Sequence, residues 1–184
     1  MRLFGGEDWY LQIDSHHRFV QDWDTKLIDQ AMLTQSPRPL LTTYASAFSR
    51  GQESKAREQV TQLDFDRFTA EGIILTRPRL IVEPLPAPIP ARFVSAHFLL
   101  APGRFVGDVP YDPELYFTGE EITLAVRAFS HGYDLYHPAS HILWHKYTRA
   151  YRPLHWDDHT SASGADLTWG SRRKTRRQHV LRPD

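Results

Sequence analysis

Apolar and polar positions alternate along this chain in blocks that predict short strands. Runs of bulky apolar residues predict buried strands at Trp9–Ile13, 40–44 and 92–100, and the first has the composition of a central strand covered on both faces. Residues 133–138 predict one more short strand, and the segment 142–145 follows it. Several strands spread over the whole length indicate a sheet as the centre of the fold.

Two segments have helical spacing instead. Apolar residues at 27, 28, 31 and 32 predict a helix over 25–33, which Ser-Pro-Arg-Pro then stops. The clearest helix is 119–129, with two glutamates in its first turn and His131-Gly132 as its end. Strands and helices that alternate in this way predict an α/β fold with a mixed sheet flanked by helices.

The middle of the chain is more polar. Residues 46–62 predict a surface loop or short helix, and 65–75 alternates loosely and ends like a strand. The proline-rich segment 84–90 must be extended and cannot lie in the middle of a sheet, so we expect a linker within one domain. A binding site for proline-recognising modules is the alternative.

Composition is that of one globular domain over residues 1–184, with 41% hydrophobic and 24% charged residues. No apolar run has the length of a membrane span, and no secretory signal opens the chain. The absence of cysteine excludes disulfides, thiolate metal sites and a cysteine nucleophile. The absence of cysteine does not fix the compartment, and a soluble cytoplasmic protein is the default expectation.

Charge is balanced overall but not along the chain. The basic tail, residues 171–184, contains six basic residues and one acid, which leaves the body acidic. A solvated or frayed end explains such a tail better than nucleic-acid binding, because the body has no interleaved aromatic and basic patch. The chain also has ten histidines, several of them close to acids, which is a reason to look for a metal site.

The first candidate site follows the first predicted strand at Asp14-Ser15-His16. Residues two apart on a strand point to the same face, so Asp14 and His16 can converge at the strand's carboxyl end. A carboxylate and an imidazole suit a divalent cation and leave positions open for a phosphate. Alternatively, Asp14 caps a following helix and His16 lies on the surface.

A second group precedes and begins the clearest helix: Asp112, Gly119, Glu120 and Glu121. Acids in a first helical turn have a structural role with the helix dipole, but beside a glycine they can also accept hydrogen bonds from sugar hydroxyls. Later, His141 and His145 flank Trp144. Either histidine can complete a metal site or simply pack and hydrogen bond.

The order of these motifs resembles a known family. The matching segments are 9–16, 18–19, 23–24, 39–44, 109–113, 116–121, 132–138 and 144–145. They are similar to segments of the N-acetylglucosaminyltransferases that modify hydroxyproline on the Skp1 protein and of their bacterial relatives. More distantly, the layout resembles that of the polypeptide N-acetylgalactosaminyltransferases.

This resemblance implies a GT-A type fold, a UDP-sugar donor and a divalent cation, Mn²⁺ or Mg²⁺. By the resemblance Asp14, His16 and His145 hold the metal, and Asp14, Ser15 and His16 form the motif at the donor. It also implies N-acetylglucosamine, or a related hexose, transferred with retention to a hydroxyl of a protein or glycan acceptor. Glu120 and Glu121 then position sugar or acceptor, with Asp112 as a third candidate.

The chain departs from the family at its start. Family members have a nucleotide-binding βαβ region of roughly a hundred residues before the metal motif, which here stands at residue 14. We therefore expect a partial domain that lacks most of that region. The alternative to an active transferase is a remnant that binds metal or glycan, or a split subunit whose partner chain supplies the missing half. The family also tends to have a small residue where this chain has His97.

Overall fold

The computed structural model describes residues 4–49, 51, 56–70, 72–113, 115 and 119–147. The elements in this part of the chain are β1 (Trp9–Ile13), β2 (His17–Phe19), α1 (Trp23–Leu33), β3 (Pro39–Thr42), β4 (Ser46–Ala47), β5 (Val60–Phe68), β6 (Ile74–Ile81), β7 (Ile89–Pro90), β8 (Phe98–Pro102), α2 (Phe105–Asp108), α3 (Glu120–Ser130), β9 (Asp134–His137) and β10 (Leu143–His145).

The largest sheet has the strand order β1-β8-β3-β9-β7. β3 and β9 pair in parallel, whereas the other neighbours in this sheet are antiparallel. The second sheet, β2-β10-β4, is also mixed, and β5 and β6 form a two-stranded hairpin. The predicted α/β fold with a mixed sheet is therefore confirmed.

Two apolar clusters cover opposite faces of the central strands β3 and β8. Leu40 and Leu99 belong to the cluster that contains the buried residues of α3. Leu41 and Phe98 belong to the cluster that contains the buried residues of α1. Because successive side chains of a strand point to opposite faces, α1 covers one side of the sheet, and α3 together with Phe105 of α2 covers the other.

Both predicted helices are confirmed within a residue or two. α3 begins after Gly119, which has φ +87°, and ends before Gly132, which has φ +79°. These backbone conformations lie in the left-handed region that glycine adopts without strain. Leu124, Ala125 and Ala128 form the buried stripe of the helix.

The prediction of a central first strand is wrong. Among the described residues β1 pairs only with β8, and its side chains are half-buried except for exposed Ile13. Bulky residues occur here because both faces of the strand pack on the core, with Tyr10 against the cluster on the α3 side and Leu11 against the cluster on the α1 side. An apolar run of five residues does not distinguish this edge position from a central one.

The predicted strand over 92–100 is also wrong in its first half, because β8 begins at Phe98. The three residues before it, 95–97, form what we call the 95–97 turn, where the Phe98 N–H donates to the Ser95 carbonyl. Thr42 stabilises this turn: its hydroxyl accepts from the Ser95 N–H at 2.9 Å and donates to the Phe98 carbonyl at 3.1 Å. A side chain from β3 thus takes the place of a ladder partner.

The polar middle contains more strand than its sequence predicts. β4 and the start of β5 lie in the segment predicted as a loop or short helix, and β6 extends the strand-like end of 65–75. The sequence does not predict this hairpin because its exposed positions include both charged and apolar residues, so no regular alternation of apolar and polar positions results. In the proline-rich segment, Ile89–Pro90 pairs with β9 as an edge strand, as proline requires.

The described helices include none with the length and apolar composition that crossing a membrane requires. Residues 171–184, the basic tail, lie outside the described part of the chain.

One close backbone approach joins the start of β1 to the end of β8, and it gives a stability prediction. The Gly103 N–H donates to the Asp8 carbonyl at 2.8 Å, and a Cβ at Gly103 would lie 1.8 Å from the Glu7 carbonyl oxygen. Backbone must therefore move in Gly103→Ala. We expect a loss of about 1–3 kcal/mol in the free energy of unfolding, measured by urea denaturation.

The matched control is Gly107→Ala, because Gly107 lies in α2 and nothing is within 4 Å of its Cβ position. Alanine is favoured over glycine in a helix, so this variant should be as stable as the parent or slightly more so. Equal stability of the two variants would contradict the close approach.

Candidate active site

The 95–97 turn joins the elements that carry the predicted site residues. The Asp14 N–H donates to the His97 carbonyl at 3.1 Å, which ties the end of β1 to the turn. The Ala96 N–H donates to Glu121 Oε1 at 2.7 Å, and the Gln12 amide donates to the Ala96 carbonyl at 2.6 Å. The first predicted motif and the start of α3 therefore meet at one short backbone segment.

Asp14 and His145 face each other across the two sheets. Asp14 Oδ2 lies 3.8 Å from His145 Nε2; the imidazole is 2% exposed, and the carboxylate is 48% exposed. His145 occupies this position because β10 pairs with β2, which follows the Asp14 motif along the chain. Two of the three predicted metal ligands are thus brought together.

His16 is placed differently from the prediction. β1 ends at Ile13, so strand alternation does not apply to residues 14–16, and His16 has φ +74°. The His16 side chain is exposed, and its Nδ1 shares a hydrogen bond of 2.8 Å with the Ser15 hydroxyl. Its ring must turn from this position to join Asp14 and His145 on one cation.

Three imidazoles cluster behind Asp14. The rings of His17 and His145 lie opposite each other in the β2-β10 pair, 4.6 Å apart, and the His97 ring is 5.5 Å from His145 and 5.8 Å from His17. Burial lowers the pKa of His17, and burial followed by the neighbouring His145 and His17 lowers the pKa of His97 to about 3. His17 and His97 are therefore neutral near pH 7, as metal-site imidazoles must be.

The donor chemistry at this position suits a divalent cation, but the ligands are not assembled. Within the described ranges, no group of three or more His, Cys, Asp or Glu side chains is arranged to hold a metal ion. His17 Nδ1 bonds the Asp14 carbonyl at 2.8 Å, and its buried Nε2 has no hydrogen-bond partner among the described residues. One carboxylate and neutral imidazole nitrogens are nevertheless a fitting set for manganese-type ions.

The two glutamates at the start of α3 lie on the other side of the turn. Burial raises the pKa of Glu121, and the hydrogen bonds from Ala96 and Ser95 oppose that rise. Burial and the neighbouring Glu121 also raise the pKa of Glu120. Tyr111 lies beside these acids. Its hydroxyl accepts a hydrogen bond of 2.7 Å from the Gln12 amide. The result is a half-buried pair of acids close enough to Asp14 for its charge to act on Glu121.

Asp112, the third predicted acid, is half-buried in the loop before α3, where its carbonyl accepts from the Leu115 N–H at 3.1 Å. Its role stays a prediction. Glu114 and residues 116–118 of the same segment lie outside the described residues.

Sequence reasoning missed the residues that connect the site. The sequence patterns do not identify three of them: Gln12, which bonds Ala96; Ser95, which bonds Glu121; and His17, which bonds Asp14. Gln12 had a usable signal, because it is the one polar residue inside an otherwise apolar strand. The sequence contains no such signal for Ser95, because its contacts depend on the turn that occurs in place of the expected strand.

These features define an α/β protein whose candidate active site combines an aspartate, a histidine cluster and two glutamates around one turn. A sequence model of the glycosyltransferase family described as GlcNAc matches residues 1–182. The chain therefore belongs to this family of glycosyltransferases, which confirms the predicted class of enzyme. A search of curated proteins gave no match. The narrower resemblance to enzymes that modify Skp1 stays a prediction.

Proposed function

We propose that this chain transfers N-acetylglucosamine, or a related hexose, from a UDP-sugar to a hydroxyl of a protein or glycan acceptor. The observation that carries the proposal is the convergence of Asp14, His145 and Glu121 around the 95–97 turn. The family match supports transfer of a glycosyl group, and the family's description supports the sugar.

Asp14, His16 and His145 are the proposed holders of the cation. A bound Mn²⁺ or Mg²⁺ supplies positive charge to the diphosphate that leaves the sugar. Asp14 contributes the carboxylate, and its exposure leaves one side open to a diphosphate. Ser15 lies beside His16 and is proposed to orient that imidazole through the hydrogen bond they share.

Glu121 and Glu120 are proposed to position the sugar or the acceptor, with Asp112 as a further candidate. Glu121 makes its hydrogen bonds to described residues through Oε1, from the Ala96 N–H and the Ser95 hydroxyl. The second oxygen of this carboxylate is then suited to accept from a sugar hydroxyl. We assign no protein nucleophile and propose retention: the acceptor hydroxyl attacks the anomeric carbon on the face that the diphosphate leaves, the bond to the diphosphate breaks, and the departing diphosphate takes the hydroxyl proton.

A second proposal is favoured by the unassembled ligands and by the edge position of β1. In this alternative the chain binds metal or glycan without turnover, or acts as a subunit beside a partner chain that completes the nucleotide pocket. An exposed strand edge is a pairing surface for another strand. The experiment below separates this alternative from the transferase.

The test incubates the purified chain with UDP-N-acetylglucosamine and Mn²⁺, and measures UDP release and sugar transfer to hydroxyl-bearing peptides and oligosaccharides. We expect EDTA to lower the rate at least about 100-fold, because a cation contributes several kcal/mol to leaving-group stabilisation. NMR of the product should show that the donor's anomeric configuration is retained. UDP-glucose and UDP-N-acetylgalactosamine are the comparison donors.

Manganese-dependent binding of UDP without turnover would favour the non-catalytic alternative. Turnover that is unaffected by EDTA would contradict the cation in the proposal. Products of inverted configuration would contradict retention.

A further inference from the structure

We propose that His97 is a positioning residue that orients the Glu121 carboxylate through Ser95. This inference rests on the proposed function for its catalytic meaning, because Glu121 is a site residue only if the chain acts on a sugar. Its structural basis is a chain of hydrogen bonds that starts at the backbone of Ala45 and ends at Glu121.

The first bond fixes the tautomer of His97. The Ala45 N–H donates to His97 Nε2 at 3.0 Å, so that nitrogen must carry the lone pair. In the neutral ring the proton is then on Nδ1, which lies 2.6 Å from the Ser95 hydroxyl. His97 is therefore the donor in this second bond, and both of its nitrogens are engaged. It is consequently not a metal ligand in this arrangement.

The hydrogen bond from His97 to Ser95 determines where the Ser95 hydroxyl can donate. Because the Ser95 oxygen accepts from His97, its own proton is directed elsewhere, and Glu121 Oε1 lies 3.5 Å away. The same carboxylate oxygen accepts from the Ala96 N–H at 2.7 Å. Hydrogen bonds arranged donor to acceptor in a chain strengthen one another, which favours the ionised carboxylate at this point.

The His97 ring also contacts the proposed metal side of the site. Its plane stacks on those of His145 and His17, and it is nearly perpendicular to the Tyr44 ring, with the two ring centroids 5.1 Å apart. The His97 carbonyl accepts from the Asp14 N–H. One residue thus links the backbone of Asp14 and the ring of His145 to the carboxylate of Glu121.

Other titratable groups lie near Glu121, and a test must leave these residues unchanged. They are Asp14 from the end of β1, Glu120 from the same helix and the neighbouring Tyr111 hydroxyl. None of these is altered by substitutions at 95 or 97. A change in the pKa of Glu121 in such variants therefore measures the hydrogen-bond chain.

The experiment measures the pKa of Glu121 by NMR of ¹³C-labelled glutamate side chains in the metal-free protein, with Glu121→Gln used for assignment. Ser95→Ala should raise this pKa, and His97→Phe should raise it less, because the Ser95 hydroxyl remains but loses its donor. His97→Gln keeps an acceptor for Ala45 and a donor for Ser95, so it should stay near the parent. Ser130→Ala, at the far end of α3, is the control.

Histidine ¹⁵N spectra provide a second readout, in which His97 should appear as the Nδ1–H tautomer. In turnover of UDP-N-acetylglucosamine, Ser95→Ala and His97→Phe should each lower kcat roughly tenfold to 100-fold. Neither should lower kcat further in the Glu121→Gln background, because a residue that acts through Glu121 has nothing left to position.

An unchanged pKa of Glu121 in folded Ser95→Ala would overturn the inference, as would the Nε2–H tautomer at His97. If the parent protein turns over no UDP-sugar, the proposed function fails while the pKa and tautomer results still decide the positioning role. If the parent is active and the two variants are equally active, the positioning role fails and the proposed function stands.

Discussion

Asp14→Asn should weaken Mn²⁺ binding about 100-fold or more and abolish manganese-dependent UDP binding. The substitution removes the negative charge that faces His145 at 3.8 Å but keeps the size of the side chain. An amide oxygen is a poorer ligand than a carboxylate for a hard divalent cation. The measurement is isothermal titration calorimetry with UDP, with and without Mn²⁺, together with titration of Mn²⁺ alone.

The fold should survive this change, because the Asp14 side chain is 48% exposed and its backbone N–H still donates to His97. Asp29→Asn is the matched control, since Asp29 is an exposed acid on α1 and lies outside the Asp14-Ser15-His16 motif. Equal Mn²⁺ affinity in Asp14→Asn and the parent would remove Asp14 from the proposed metal site.

The same titration distinguishes the two adjacent histidines. His16 is the ligand that the resemblance implies, whereas His17 has the buried nitrogen without a hydrogen-bond partner in the described structure. His16→Ala should lower Mn²⁺ affinity if the exposed ring turns inward on binding. An effect confined to His17→Ala would assign the ligand to the neighbouring residue instead.

The helices and the short central strands could be predicted from the sequence because each has a local signal. α3 has acids in its first turn, an apolar stripe and glycines at both ends, and it lies within one residue of its prediction. β3 is a short apolar run, β9 follows the glycine that ends α3, and both strands lie where expected. Signals of this kind depend only on neighbouring residues, so one sequence is sufficient.

The errors occur where a distant residue decides the local structure. The Thr42 hydroxyl turns the chain at Ser95, 53 residues away, so an apolar run that resembles a strand contains a turn. The edge position of β1 depends on which strands pair with it, and five apolar residues contain no such information. Non-local pairing is the part of a fold that pattern reasoning cannot supply.

In the candidate site, too, some features could be predicted from the sequence and others depend on distant contacts. Asp14, His145 and Glu121 could be named because their residue types and order match a family. The connections among them, through Gln12, Ala96 and His97, are backbone and side-chain contacts between positions 25 to 84 residues apart. Such contacts follow from the fold and have no motif.

Acid should destabilise this protein strongly, and the β5–β6 hairpin should respond first. Two histidines hydrogen bond at this hairpin, one from β9 of the main sheet and one from the segment before β10. His137 is 2% exposed, and its Nε2 accepts from the Leu63 N–H of β5 at 3.1 Å while its Nδ1 bonds the Thr42 carbonyl at 2.8 Å. His141 Nδ1 bonds the Gln59 carbonyl at 3.1 Å, just before β5.

Burial lowers the pKa of both imidazoles below their usual 6.5. Between the folded and unfolded pKa values the unfolded chain binds more protons, so the free energy of unfolding decreases as pH falls below about 6.5. Each such histidine contributes up to about 1.4 kcal/mol per pH unit in that window. The lowered pKa values of His17 and His97 act in the same direction. The raised pKa values of Glu120 and Glu121 oppose it, because the folded state retains their protons at higher pH than the unfolded chain does.

Histidines with lowered pKa values outnumber these glutamates two to one, so we expect Tm to fall by roughly 10 °C between pH 7 and pH 5. At His137 the mechanism is specific, because a protonated Nε2 can no longer accept from the Leu63 N–H. Hydrogen exchange at the Leu63 amide should therefore lose protection at acid pH before the amides of β3 and β8 do.

His137→Gln tests the cause, since a glutamine oxygen can accept from Leu63 but does not titrate. This variant should be less stable than the parent at pH 7, because an amide replaces a packed ring, yet its stability should depend less on pH. His131→Gln is the control, because His131 is exposed at the end of α3. A pH dependence of Tm as steep in His137→Gln as in the parent would exclude His137 as a source of the acid sensitivity.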